Sequence, residues 1–193
     1  STYLPYLPLR LSCLLHYLIS SLLHIRHDIN GKPSVKVLSK RPGRRILAVG
    51  EVSDVGSLVS LHFLDVGPHF FRISKLFSDL VSKPHEQILP LSFVEYAASR
   101  QNISLRTGCA CNPGAGAALL GTRARMEAQN RGLSFKPEDF GVVRISLGLA
   151  SNFDDVMRVI QFATMLACQT VREHMMDDWR CATIATSNGA LHM

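Results

Sequence analysis

With 193 residues, of which 47% are hydrophobic, the chain is long enough to fold as one domain around a real core. Its formal net charge of +6 raises nucleic acid as a partner. Much of that excess sits in one run, Lys40-Arg-Pro-Gly-Arg-Arg45, aromatic residues are only 7%, and no nucleic-acid-binding motif accompanies the charge, so a solvated loop is the plainer reading.

Pro5 and Pro8 discourage helix at the extreme N-terminus. Leu11, Leu14, Leu15, Leu18, Leu22 and Ile25 then recur at helical spacing and should pack on a sheet. The apolar stretch from Leu11 to Ile25 is shorter than the ~20 residues that span a bilayer and is broken by His16, Ser20, Ser21 and His24, which makes it a core helix and no membrane segment. Asn30-Gly31 supplies turn chemistry, Val35–Leu38 alternates like a strand, and Ser57–Leu64 reads as a second, more buried strand. Between Val66 and Gln87 no clean periodicity emerges, and a connection of that length suggests an insertion or a disordered segment.

A helix is expected from Leu89 to Arg100, with Phe93, Tyr96, Ala97 and Ala98 available to the core, and a short strand over 103–106. The connector from Arg123 to Glu138 is polar and contains Gly132 and Pro137, which makes it loop or partly helical. Val142–Leu147 alternates as a strand, and Ser151-Asn-Phe-Asp154 reads as a capping box opening a helix that carries Phe153, Val156, Ile160, Ala163 and Ala167 on one face. After Glu173 the pattern fades, leaving 173–193 as an expected mobile tail. Strands and helices alternate as in an α/β or α+β layer, a sheet covered by helices.

The stretch Ile103-Ser-Leu-Arg-Thr-Gly-Cys-Ala-Cys-Asn-Pro-Gly-Ala-Gly116 carries the chemistry. Its first residues alternate, two thiols follow on a Gly-bounded loop, and Pro113 can open a helix. Guanidinium presents a rigid fork that matches a carboxylate, and positive charge favours the reactive thiolate. Arg106 could thus hold an amino-acid carboxylate while Cys111 attacks another part of the same molecule. On local chemistry the competing reading is a pair of ordinary buried thiols and a surface arginine. Five cysteines, an odd number without a secretory framework, point to free thiols in a reducing, cytoplasmic compartment. Cys-x-Cys with scattered histidines lacks the paired spacing of a zinc site, so no metal is expected.

Leu105-Arg-Thr-Gly-Cys-Ala-Cys-Asn-Pro-Gly114 resembles the cysteine-loop motif of the molybdenum cofactor sulfurases, a branch of the class V pyridoxal-phosphate enzymes that includes cysteine desulfurases. Leu61-His-Phe-Leu-Asp65, Phe93-Val-Glu-Tyr-Ala-Ala-Ser99, Val143-Arg-Ile-Ser-Leu-Gly148 and Asn152-Phe-Asp-Asp-Val156 follow the family's order. Together they cover most of residues 10–172 and are similar to the family's C-terminal small domain. The resemblance implies sulfur transfer from L-cysteine, with pyridoxal phosphate as electron sink, to an enzyme persulfide and on to an acceptor such as molybdenum cofactor. It makes Cys111 the persulfide carrier, Arg106 the carboxylate ligand, Arg144 a second substrate or loop contact, Cys109 a secondary thiol, and Asn112 and Gly114 loop-shaping residues. A homodimer is compatible with it.

The family's cofactor-bearing lysine belongs to a large domain N-terminal to this region, and nothing in the sequence supplies it. Lys40 has a Gly three residues on, but Arg44-Arg45 does not continue a phosphate-site pattern. A chain opening on Ser1 is expected to be a piece of a longer polypeptide, inactive without its large domain. Segment 66–87 is foreign to the family pattern, which makes a short turn there. Two further readings stay open: a truncated, non-catalytic association module, and another class V lyase or aminotransferase, whose reactions need no persulfide thiol.

Overall fold

The computed structural model describes residues 6–41, 43, 48–49, 51, 55–65, 88–108 and 141–189. Over these the fold is α+β. Three antiparallel strands, β1 (Val35–Val37), β2 (Leu58–Phe63) and β3 (Val143–Ser146), lie in the order β1-β2-β3. Four helices accompany them among the described residues: α1 (Leu7–His24), α2 (Leu91–Arg100), α3 (Phe153–Ala167) and α4 (Gln169–Gly189).

The period of two in each strand sorts the sheet into two faces. Val35 pairs with Phe63, Leu61 with Val37 and Val143, and Val59 with Ile145, all on one side. These join Leu14, Leu18 and Leu22 of α1, Phe93, Val94 and Ala97 of α2, and Val156, Phe162, Ala163 and Leu166 of α3 in a single core. Phe63 and Phe162 meet edge to face at 5.8 Å, and each buried aromatic of this kind contributes about 1.5–3 kcal/mol. The opposite face carries the pairs Lys36 with His62, Ser60 with Arg144, and Leu58 with Ser146. It is polar and basic.

The helices follow their sequence signals with three differences. α1 starts at Leu7, earlier than the two prolines suggested, because Pro8 falls in the first turn, where its missing N–H costs no hydrogen bond. The capping box of α3 is shifted by one residue: Asn152 Oδ1 accepts from the Asp155 amide, and Asp155 Oδ2 accepts from the Asn152 amide. Its buried face is Val156, Val159, Phe162, Ala163, Leu166 and Ala167, which leaves Phe153 51% exposed against Tyr17. The expected tail from 173 is helical as far as Gly189, with Met176 buried and Trp179 packed edge-on against Phe93. The remainder of that tail, 190–193, lies outside the described residues, as do 66–87 and 109–140.

Asp65 and Ile88, which flank 66–87, stand side by side. Leu64 bridges Ile88, and the Leu89 amide donates to Phe63 O at 2.9 Å. No described helix is long and apolar enough to cross a membrane.

A buried polar cluster joins the end of α1 to the α3–α4 junction. Arg172 of α4, 5% exposed, donates to Leu166 O at 2.8 Å and pairs with Asp65 at 3.4 Å. His27, 2% exposed, sets Nδ1 at 3.3 Å from Ala167 O and 3.4 Å from the Arg172 guanidinium, while its Nε2 has no partner among the described residues. The Asp28 carboxylate accepts the Gln169 amide from both oxygens, at 3.2 and 3.1 Å, and so caps α4 from another part of the chain. Partial desolvation opposes it, but the hydrogen bonds from Gln169 and the Cys168 thiol hold this carboxyl below its ordinary pKa.

Burial first, and then the Arg172 charge, depress the His27 pKa below 6.5, against the raising effects of Ala167 O, Asp65 and Asp28. Between the depressed value and about 6.5 the unfolded chain binds a proton that the folded chain refuses. The His27 contribution to stability is therefore full above about pH 6.5 and is lost as pH falls below it. Melting temperatures recorded from pH 7.5 to 5 should fall with acid in the native protein, and His27→Gln should flatten that slope. A slope unchanged by the substitution would place the acid sensitivity elsewhere.

Candidate functional site

Residues 105–108 run as a short ribbon along the free edge of β3. Arg106 and Arg144 exchange both backbone hydrogen bonds: Arg106 N donates to Arg144 O at 3.3 Å, and Arg144 N to Arg106 O at 2.7 Å. The Val142 amide then donates to Gly108 O at 3.0 Å. In such an antiparallel pair the two side chains stand next to each other on one face of the sheet. The two arginines picked out by sequence are thus paired across the ribbon with their side chains on the polar face, although 38 positions separate them in the chain.

Ile103 and Leu105 turn the other way and pack against the core, which fixes the phase of the ribbon. Arg106 is exposed and Arg144 is half-buried. Among the described residues neither guanidinium has a carboxylate partner, and Arg144 Nε, shielded from solvent, has no acceptor. Like charges on directly paired residues repel, and a buried donor without an acceptor costs about 1–3 kcal/mol. An anion seated between the two forks relieves both penalties. Bidentate carboxylate recognition is the chemistry that this arrangement offers.

Beyond Gly108 the chain passes to residues outside those described, and it returns at Gly141. Cys109, Cys111, Asn112 and Gly114 all fall in that span. Both ends of the span are fixed at one neck. A Cβ on Gly141 would lie 2.5 Å from Leu91 Cδ1, 2.6 Å from Gly108 Cα and 2.7 Å from Gly108 C, so the two backbones touch and only glycine fits. Gly108 itself has φ +113°, a backbone angle that L side chains rarely adopt.

Two side chains that the sequence reading did not single out secure this neck. His62, 4% exposed, places Nε2 3.1 Å from Gly141 O. Thr107 Oγ1 donates to Glu95 Oε2 of α2 at 2.8 Å. The only sequence signal for His62 was a polar residue in phase with Ser60 on an otherwise apolar strand. Glu95 stands inside the Phe93–Ser99 stretch that carries the resemblance, but nothing in the sequence marks it as the partner of Thr107, whose ribbon takes its place from β3. Cys13, Cys168 and Cys181 are free thiols, well separated along the sequence from the cysteine loop.

Compared with known proteins, the chain matches no family model and no solved structure. It is similar to curated molybdenum cofactor sulfurases. The protein of Neurospora crassa is 33% identical over 90 residues, covering 42% of this chain and 10% of that protein. Those of Arabidopsis thaliana and Solanum lycopersicum are each 41% identical over 80 residues, covering 36% of this chain and 10% of the relative. The matched stretch thus spans about a tenth of the length of these relatives.

Gly141→Ala should overpack the neck and cost about 1–3 kcal/mol of stability, read from urea unfolding midpoints. Gly148→Ala, where nothing lies within 4 Å of the added methyl, should be neutral or slightly stabilising. Equal effects at both positions would mean that the neck is looser than its backbone contacts imply.

Proposed function

From the similarity to molybdenum cofactor sulfurases we propose that this chain is the small-domain part of a cysteine desulfurase of the sulfurase type. Its own contribution is to bind the carboxylate of L-cysteine and to receive the sulfur. The observation that carries this reading is the Arg106–Arg144 pair: two forks without carboxylate partners among the described residues, at the root of the span that bears the thiols.

Cys111 follows Gly108 by three positions, and three residues of chain reach at most about 11 Å, so the proposed carrier is tethered to the end of the ribbon that bears Arg106. In the proposed step the Cys111 thiolate attacks the sulfur of bound L-cysteine. A sulfur–sulfur bond forms as the substrate's carbon–sulfur bond breaks, and protonation of the carbon yields alanine. Cys111 is left as a persulfide, whose outer sulfur passes to an acceptor such as molybdenum cofactor. The paired positive charges also favour the thiolate over the thiol. Cys109 is assigned a secondary role, and Asn112 and Gly114 shape the loop.

Pyridoxal phosphate supplies the electron sink that this cleavage needs. The described lysines do not fit it: Lys32, Lys36 and Lys40 are all exposed, and none is the buried amine that forms an imine with such a cofactor. The proposal therefore assigns the cofactor and its lysine to a companion large domain, and the described part of this chain supplies carboxylate recognition only. Residues 66–87 are assigned as an insertion, a reading supported by the contact between its two flanks.

With L-cysteine, pyridoxal phosphate and a sulfurase large domain supplied, the chain should accumulate a persulfide that cyanide releases as thiocyanate. Cys111→Ala should abolish that yield, and Cys109→Ala should leave most of it. Arg106→Ala should raise the L-cysteine concentration at half-maximal rate by about tenfold or more, the worth of a charged hydrogen bond to a carboxylate. Thiocyanate release undiminished in Cys111→Ala would end the assignment of the carrier.

A further inference from the structure

The ribbon that bears Arg106 has to keep its register with β3 for the work assigned to it. Among the described residues its backbone pairs with β3 alone, and its central pair sets like charges opposite each other, an arrangement that tends to part strands. On the side away from the guanidiniums, beside the packing of Leu105 on the core, the ribbon is fastened by the hydrogen bond from Thr107 Oγ1 to Glu95 Oε2, 2.8 Å long and twelve positions apart in sequence. Side chains alternate along an extended segment, so Thr107 reaches α2 while Arg106 faces the other way. α2 is a firm anchor, with Leu91, Phe93, Val94, Ala97 and Ala98 buried in the core.

We infer that Glu95 and Thr107 are positioning residues: their hydrogen bond clamps the 105–108 ribbon to α2 and so holds the Arg106 guanidinium beside that of Arg144, in register for one carboxylate. The inference rests on the carboxylate-binding reading of that pair. Neither residue need touch the ligand. A ribbon free to swing on its edge would still carry both charges, but it would lose the alignment that makes fork recognition bidentate.

The test uses the full 193-residue chain, with amide hydrogen exchange at Arg106 and Arg144 as one readout. The other is titration with L-alanine, followed through the Nε–Hε signals of the same two arginines. Thr107→Val and Glu95→Ala should speed exchange at those two amides and raise the L-alanine midpoint, each by roughly three- to tenfold, the worth of one net hydrogen bond. Thr107→Ser and Glu95→Gln, which keep a donor and an acceptor, should restore most of both, and melting temperatures should stay close to the native value. Unchanged exchange in Thr107→Val and Glu95→Ala would overturn the clamp, whatever the ligand does. Faster exchange with an unchanged L-alanine midpoint would reduce the contact to a structural one and overturn the positioning role. If L-alanine moves neither arginine signal in the native chain, the carboxylate reading fails, and the positioning role falls with it; exchange then still reports whether the clamp exists.

Discussion

The organisation of the site depends on one antiparallel backbone pair. Arg106 and Arg144 exchange hydrogen bonds at the edge of a three-stranded sheet, and that exchange pairs two arginines which the chain keeps far apart. The geometry costs free energy, since like charges sit on directly paired residues and, among the described residues, a buried donor goes without an acceptor. Local violations of this kind persist where the surrounding structure over-determines them, and they are the usual mark of a binding surface. Here the over-determination is visible in the Gly108–Gly141 contact, in His62 against Gly141 O, and in Thr107 held by Glu95.

The rest of the domain can be understood as support for that edge. β3 is positioned by β2, and β2 by the apolar faces of α1 and α3 packed on one side of the sheet. α3 and α4 are fixed to the opposite end of the molecule's chain path by Arg172, Asp65, His27 and Asp28, which satisfy helix-end groups that would otherwise be orphaned. That cluster is built from charge as well as shape, which makes the scaffold, and not only the site, responsive to acid.

How far the sequence could be read depended on the range of the interactions involved. The period of α1, the alternation of β2 and β3 and the capping residues before α3 were legible because they are set by neighbours a few positions away. Phe153 was assigned to the core because it continues the helical spacing, yet it lies at the helix edge against Tyr17, where the core has already ended. The last helix was missed because its buried contacts are few: Arg172, Met176 and Trp179 recur at helical spacing, but one is charged and the polar residues between them hide the stripe.

By itself the sequence determined the kinds of element, the polar and apolar faces of the strands, and the motif that resembles the cysteine loop of the molybdenum cofactor sulfurases. Only the tertiary structure decided that Arg106 and Arg144 are neighbours, that the cysteine loop is rooted at a glycine neck, and that Glu95, His62 and Asp28 hold parts of the chain remote from them. The reason is physical: periodicity records which side of an element faces water, whereas strand register and cross-chain hydrogen bonds are fixed only once several elements pack at the same time.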